Sequence, residues 1–151
     1  MPKASVKRLI ECNKNHLIDL VLDIKKYPEF VPFCLDAHVY EKKNEEGLTL
    51  IIADLTIGKG PFKETYKSDV RFNKKDSTIK VTNIGGPLNH LENIWHFKEY
   101  KNGTEISFNI DFEIENKFLN IVMTKSFQFG LDKIADAFQK RAEELFDSSK
   151  N

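Results

Sequence analysis

Glu64, Ser68 and Asn93 each interrupt a stretch that is otherwise largely apolar or aromatic at every second position. A carboxylate in such a place could serve as an acid or base, and a hydroxyl or amide could hydrogen-bond the polar head of a ligand lodged in a cavity. Buried polar groups need partners, and a lone buried carboxylate costs several kcal/mol or takes up a proton. The plain alternative is a strand-end side chain reaching water, or a hydrogen bond within the fold. Tyr66 and Trp95 share the same alternating phases, each an apolar body with one polar handle that suits core packing or a ligand equally.

No catalytic or metal-binding signature accompanies them. His90 and His96 share strand parity, but six residues of strand hold them roughly 20 Å apart, too far for one zinc ion. His16 and His38 have no Cys or carboxylate partner in sequence. Gly58-Lys59-Gly60 and Gly85-Gly86 lack the further glycines and the Lys-Ser/Thr ending of phosphate loops. Cys12 and Cys34 are not in a redox spacing and are too few for a disulfide framework; two lone thiols fit a reducing compartment, where a small buried Cys behaves as a hydrophobe. An enzyme would need its acid and base to converge from distant segments. The expectation is a binding protein with no required cofactor and no metal.

The remaining feature with chemical consequence is the octapeptide Tyr27-Pro28-Glu29-Phe30-Val31-Pro32-Phe33-Cys34. Each Pro disfavours the helical region for the residue before it, so turns are expected at Tyr27 and Val31. A turn this apolar must press on the protein's own core or on an apolar ligand.

Periodicity supplies the elements that position these residues. Ser5–Glu11 alternates as a first strand. Asn13 or Asn15 can cap a helix carrying Leu17, Ile18, Val21 and Leu22, with Lys25 and Lys26 suited to its C-terminus. The octapeptide follows and includes a short second helix. From Leu35 the period becomes two, and candidate strands are Leu35–Lys42, Leu48–Ile57, Pro61–Asn73, Thr78–Ile84, Leu91–Tyr100 and Thr104–Glu115, separated by turn residues. Short breaks argue an antiparallel meander. A long helix spans Asn116 to Phe146, with Phe127, Leu131, Ile134, Phe138, Ala142 and Leu145 on one stripe. A frayed tail begins at about residue 147. The fold class is α+β: a curved antiparallel sheet of about seven strands around one C-terminal helix, in the order β-α-α-β6-α. One domain is expected for 151 residues, enough to bury about 70% of the unfolded surface. The inner faces carry Tyr66, Ser68, Val70 and Phe72, then Leu91, Asn93, Trp95 and Phe97, then Ile106, Phe108, Ile110 and Phe112. A sheet wrapped on one helix leaves room between them for a hydrophobic pocket.

The 23 basic residues cancel the 23 acidic ones, so no global field draws the chain to nucleic acid or anionic lipid. No apolar run reaches the roughly 18 residues of a membrane span, and no signal-peptide core opens the chain. A soluble, cytoplasmic protein is expected.

Several of these blocks resemble one family. Tyr27–Cys34 is similar to the Tyr-Pro-x-Phe-(Val/Leu)-Pro-x-Cys signature of the RatA and coenzyme Q-binding proteins, within the START-like polyketide cyclase/dehydrase and lipid transport superfamily. Gly86-Pro87-Leu88 with Leu91 and Trp95-His96-Phe97, Phe62-x-Glu64-x-Tyr66-Lys67-Ser68, and Ile110–Ile114 with Asn116–Leu119 and Ala137–Ala142 resemble its further blocks in order. Phe33, Leu88 and Asp69 depart from the residues usual there. The resemblance implies the helix-grip fold around an apolar tunnel. It also implies one of two activities in a bacterial setting. The first is binding of ubiquinone or a related polyprenyl lipid, as a carrier or chaperone supporting respiratory electron transport with peripheral contact at the inner face of the membrane. The second is a RatA-type toxin that blocks ribosomal subunit association, with a ribosomal subunit as partner. A cyclase or dehydrase is the lesser alternative and would need acid–base residues. For the lipid reading, Tyr27, Phe30, Val31 and Phe33 stand at the tunnel mouth, and Tyr66, Trp95, Phe108 and Phe112 line it. Phe127, Leu131 and Phe138 close it from the helix, and Asn93 or Ser68 meets the quinone oxygens.

Overall fold

The alternating stretches become seven strands: β1 (Lys3–Ile10), β2 (Cys34–Glu45), β3 (Leu48–Lys59), β4 (Phe62–Asn73), β5 (Thr78–Gly85), β6 (Leu88–Tyr100) and β7 (Gly103–Ile114). The computed structural model describes residues 3–59, 62–85, 88–114 and 117–146, leaving out the side chains of 3, 59, 62, 85, 88, 89, 112, 114 and 118–130. All strands belong to one antiparallel sheet in the order β1-β7-β6-β5-β4-β3-β2. β2 to β7 are the expected meander, and β1 closes the order by pairing with β7, Val6 opposite Phe108. Register shifts at Cys34/Asp36, Val39/Glu41, Lys67/Ser68 and Leu88/His90 bend the strands, as one extra residue on one side of a pair does.

Between β1 and β2 the chain forms helix α1 (Lys14–Leu22) and a short 3-10 helix (Ile24–Glu29). Asn13 is the cap of α1, its side-chain oxygen accepting from the Asn15 N–H at 2.8 Å. α1 ends at Leu22, earlier than the sequence suggests, so Lys25 and Lys26 fall in the 3-10 helix and Lys26 pairs with Glu29 at 3.4 Å. The turn expected at Tyr27 is taken inside that helix. Pro28 has no N–H to leave unpaired there, and the N–H groups of Phe30 and Val31 both donate to the Tyr27 carbonyl.

After β7, helix α2 (Lys117–Phe146) lies against the concave side. Leu131, Ala135, Phe138 and Ala142 repeat at four, three and four and are all buried, the stripe that a helix needs to seal a sheet. Leu145 was expected on that stripe but is 53% exposed. In the last turn it is Phe146, four residues after Ala142, that packs against the core and stacks on His16 at 4.6 Å. The tail from residue 147 lies outside the described residues. The core joins the inner face of the sheet, the apolar side of α1 and the described half of α2. Each large side chain buried there contributes on the order of 1.5–3 kcal/mol.

Candidate functional site

The inner face of the sheet has a closed zone and an open zone. Ile51 (1% exposed), Ile79 (0%), Val70 (4%), Trp95 (6%) and Phe108 (4%) are sealed. Around them the inward positions Ala37, Val39, Leu55, Tyr66, Val81, Asn93 and Ile110 are only half-buried, although Leu91 near the start of β6 is 5% exposed and Ser68 1%. These are side chains on the core side of the strands that water still reaches.

The aromatic residues expected to line a tunnel gather mostly in the closed zone. Trp95 stacks on Phe108 with ring centroids 4.3 Å apart, and Phe138 meets Trp95 edge-on at 5.2 Å. Leu131 is buried with them. The side chains of Phe112 and Phe127 lie outside the described residues.

The Pro-aromatic turn is fastened to this cluster. Tyr27 and Phe30 both point edges at Phe138, at 5.5 and 5.1 Å. Arg141 lies over the Phe30 ring at 5.2 Å and donates to Glu29 at 2.9 Å. Tyr27 donates its hydroxyl to the Val21 carbonyl. Phe30, Val31 and Phe33 remain half-buried. Phe33 takes a left-handed backbone, φ 69°, which a bulky residue holds only where its surroundings impose it. Its carbonyl accepts from the Gly58 N–H at 2.9 Å, tying the turn to the end of β3. Arg141 and Glu29 are 112 residues apart, so their pairing carried no sequence signal.

Tyr27, Cys34 and Tyr66 are electrostatic neighbours under the turn. Burial pushes both phenols far above their ordinary value, and burial raises the Cys34 thiol to about 11. All three are therefore neutral at physiological pH, which keeps this wall of the site uncharged.

Of the three polar intruders, Glu64 is exposed and reaches water. Asn93 is tied into the fold. Its oxygen accepts from the Trp95 indole at 2.7 Å and its nitrogen donates to the Asn109 carbonyl at 2.7 Å. Ser68 differs from both: it is 1% exposed, and its hydroxyl has no hydrogen-bond partner. It pairs across the sheet with Ala53 on β3 and Asn83 on β5. Asn83 is an inner-face polar residue that the sequence reading overlooked. Its place two residues after Val81 and four after Ile79 was the available signal.

Among the described residues no group of acidic, Cys and His side chains could hold a metal ion. His90 and His96 lie on the outer face as expected, His90 at 3.6 Å from Asp111. That face is charge-balanced: Arg71 pairs with Asp69 at 3.0 Å, Lys80 with Glu92 at 4.0 Å, and Lys67 sits over the Tyr40 ring, whose hydroxyl bonds Asp54. A surface cleft of about 490 Å³ opens at the other end of the sheet, around the start of α1, the β6–β7 turn and Phe146. It is polar and holds none of the residues expected in the site.

Comparison with known proteins places the chain. Residues 15–139 match the family described as polyketide cyclase / dehydrase and lipid transport. The ribosome association toxin RatA of Rickettsia prowazekii is 32% identical over 141 residues, 91% of this chain and 94% of that protein. The mitochondrial coenzyme Q-binding protein COQ10 of Dictyostelium discoideum is 32% identical over 138 residues, 89% of this chain and 66% of that protein. A START superfamily protein of Mycobacterium smegmatis superposes with a TM-score of 0.79 at 15% identity, over 96% of this chain and 99% of that one. The fold is START-like, as the family resemblance implied.

Proposed function

The chain belongs to the polyketide cyclase / dehydrase and lipid transport family, related to the RatA and coenzyme Q-binding proteins, and on that premise we propose that it binds ubiquinone or a similar polyprenyl lipid between sheet and helix. In this reading it carries or chaperones the lipid in support of respiratory electron transport, from the cytoplasm with peripheral contact at the membrane. The observation that carries the proposal is the open zone: inward-facing Leu55, Val81, Ile110 and Tyr66 are left half-buried beside a fully sealed core. Apolar surface left wet on the core side is surface that a ligand would cover. Each methylene buried there contributes about 0.8 kcal/mol, so a prenyl chain needs few polar contacts. A pocket of roughly 300–1,000 Å³ cannot hold a long tail, the rest of which stays in the bilayer. Tyr27, Phe30, Val31 and Phe33 form the lip, Tyr66 and Asn93 the wall, and Trp95, Phe108, Leu131 and Phe138 the inner end.

Organic extraction of the purified protein followed by mass spectrometry should recover a quinone or another prenyl lipid. An empty extract, together with no uptake of added quinone, would refute the proposal.

The Rickettsia relative, matched over 94% of its length, favours a second reading, contact with a ribosomal subunit. Such contact calls for a basic outer face, and the cations named on that face are each engaged by an acid or a ring. Unchanged subunit profiles in a sucrose gradient after adding the protein would dismiss this reading. Cyclase or dehydrase chemistry has less support, because Glu64 is at the surface and has no general-acid partner among the described residues. No turnover is expected.

A further inference from the structure

We propose that Ser68 is the anchor of the site, its hydroxyl donating to a neutral carbonyl or hydroxyl oxygen of an amphiphile that enters oxygen first. This rests on the reading that the open zone holds a lipid, and it adds which end goes in and what that end must be.

A strand residue has its backbone groups paired on both sides, and Ser68 is in register with Ala53 and Asn83. Only the hydroxyl is left over, and in this protein it is 1% exposed and unpartnered. A buried hydroxyl without a partner is a liability that Ala would remove without changing the strand. It becomes an asset when a ligand oxygen arrives. Asn93, the other polar residue expected to meet a ligand, already spends its oxygen on Trp95 and one N–H on Asn109. Ser68 alone on this wall holds an unspent buried donor among the described residues.

Position gives the orientation. Ser68 stands four residues from Glu64, about 13 Å along the strand, and Glu64 is exposed while Tyr66 between them is half-buried. On β3 and β4 the sealed Ile51 and Val70 lie beyond Ser68, while Val81, Asn93 and Ile110, in register with Val70 on β5 to β7, stay half-buried. An oxygen at Ser68 is therefore at the inner end of the path along β3 and β4, and the apolar remainder extends past Tyr66 and Leu55 toward the rim. The head is neutral because Tyr66, Asn83, Leu55 and Ala37 around this path carry no charge, and an unpaired ion there would be costly to desolvate. Ring ketones, quinones and sterol-like or prenyl alcohols satisfy these conditions; fatty acids and phospholipid headgroups do not.

The test compares wild type with Ser68→Ala, using a decyl-substituted benzoquinone and phenylnaphthylamine, an apolar probe with no acceptor oxygen. Binding is read by quenching of Trp95 and by probe emission. The substitution is expected to weaken the quinone about tenfold, the scale of one buried hydrogen bond, and to leave phenylnaphthylamine unchanged. The melting temperature of ligand-free Ser68→Ala should equal or exceed that of wild type, since an unpaired hydroxyl has been removed. Equal quinone affinity in the two proteins overturns the anchor and leaves the lipid reading standing, as does wild type taking up the apolar probe but not the quinone. A lower melting temperature for ligand-free Ser68→Ala also overturns it, by giving the hydroxyl a structural task. Wild type that binds neither compound overturns both.

Discussion

Phe138 receives rings from three elements: Tyr27 of the 3-10 helix at 5.5 Å, Phe30 of the turn at 5.1 Å and Trp95 of β6 at 5.2 Å. Removing it leaves a cavity that these neighbours cannot fill, so Phe138→Ala should cost about 3–5 kcal/mol in urea unfolding. The nearby Glu29 carboxyl is held below the usual carboxylate range, chiefly by its hydrogen bond from Arg141 and further by Lys26. A pKa depressed in the folded state means stabilisation that is present above the ordinary carboxylate pKa and lost as pH falls through the folded value. Glu29→Gln should therefore lower the melting temperature slightly at neutral pH, with the gap to wild type closing by about pH 3 and narrowing in high salt. Thermal melts at several pH values and salt concentrations check this; a gap that widens in acid would contradict it. Burial raises both Cys12 and Cys34, so neither thiol should react with a disulfide reagent at neutral pH until denaturant is added. At this scale the sequence showed which residues were aromatic or polar. It was silent on Arg141 meeting Glu29 and on Ser68 going unpaired, because both depend on what lies opposite in space.

The elements follow from local rules wherever a period or a cap dominates. The seven strands start and end within a few residues of expectation, and the Asn13 cap is used as its side chain allows. The departures come where packing competes with pattern. The Tyr27-Pro28 turn is wound into a 3-10 helix because Tyr27 and Phe30 must both reach Phe138. Leu145 fits the stripe by spacing, but Phe146 beside it takes the place against the core and Leu145 is left exposed. At the β6–β7 hairpin, Gly103 approaches the end of β1 so closely that a Cβ would sit 2.4 Å from the Ile10 carbonyl oxygen. That neighbour is backbone in a paired strand and cannot give way cheaply. Gly103→Ala should accordingly destabilise by more than about 2 kcal/mol, at the severe end for a single substitution, measured by chemical denaturation. Lys101-Asn102-Gly103 falls in the break between two expected strands; the contact that makes Gly103 indispensable needed β1 alongside.

For the molecule as a whole, the single tryptophan is a built-in reporter. Trp95 is 6% exposed and joins sheet, helix and turn through Phe108 and Phe138. Its emission should be blue-shifted in the native protein and move red in one cooperative step on unfolding, coincident with loss of circular dichroism; a tryptophan transition that precedes the loss of secondary structure would show the turn and helix to be a separate unit. Alternation, turn residues and the α2 stripe determined from sequence alone that a meander would close on one C-terminal helix, and the Pro-aromatic block pointed to the family. These are local signals, repeated along the chain, and need no knowledge of what packs where. Only the tertiary structure decided that Trp95, Phe108 and Phe138 seal one end of the grip while Tyr66 and Leu55 stay wet at the other. Only it separated the spent amide of Asn93 from the unspent hydroxyl of Ser68. The physical reason is that burial and hydrogen-bond satisfaction belong to pairs of surfaces, and a sequence specifies each surface without stating how completely its partner covers it.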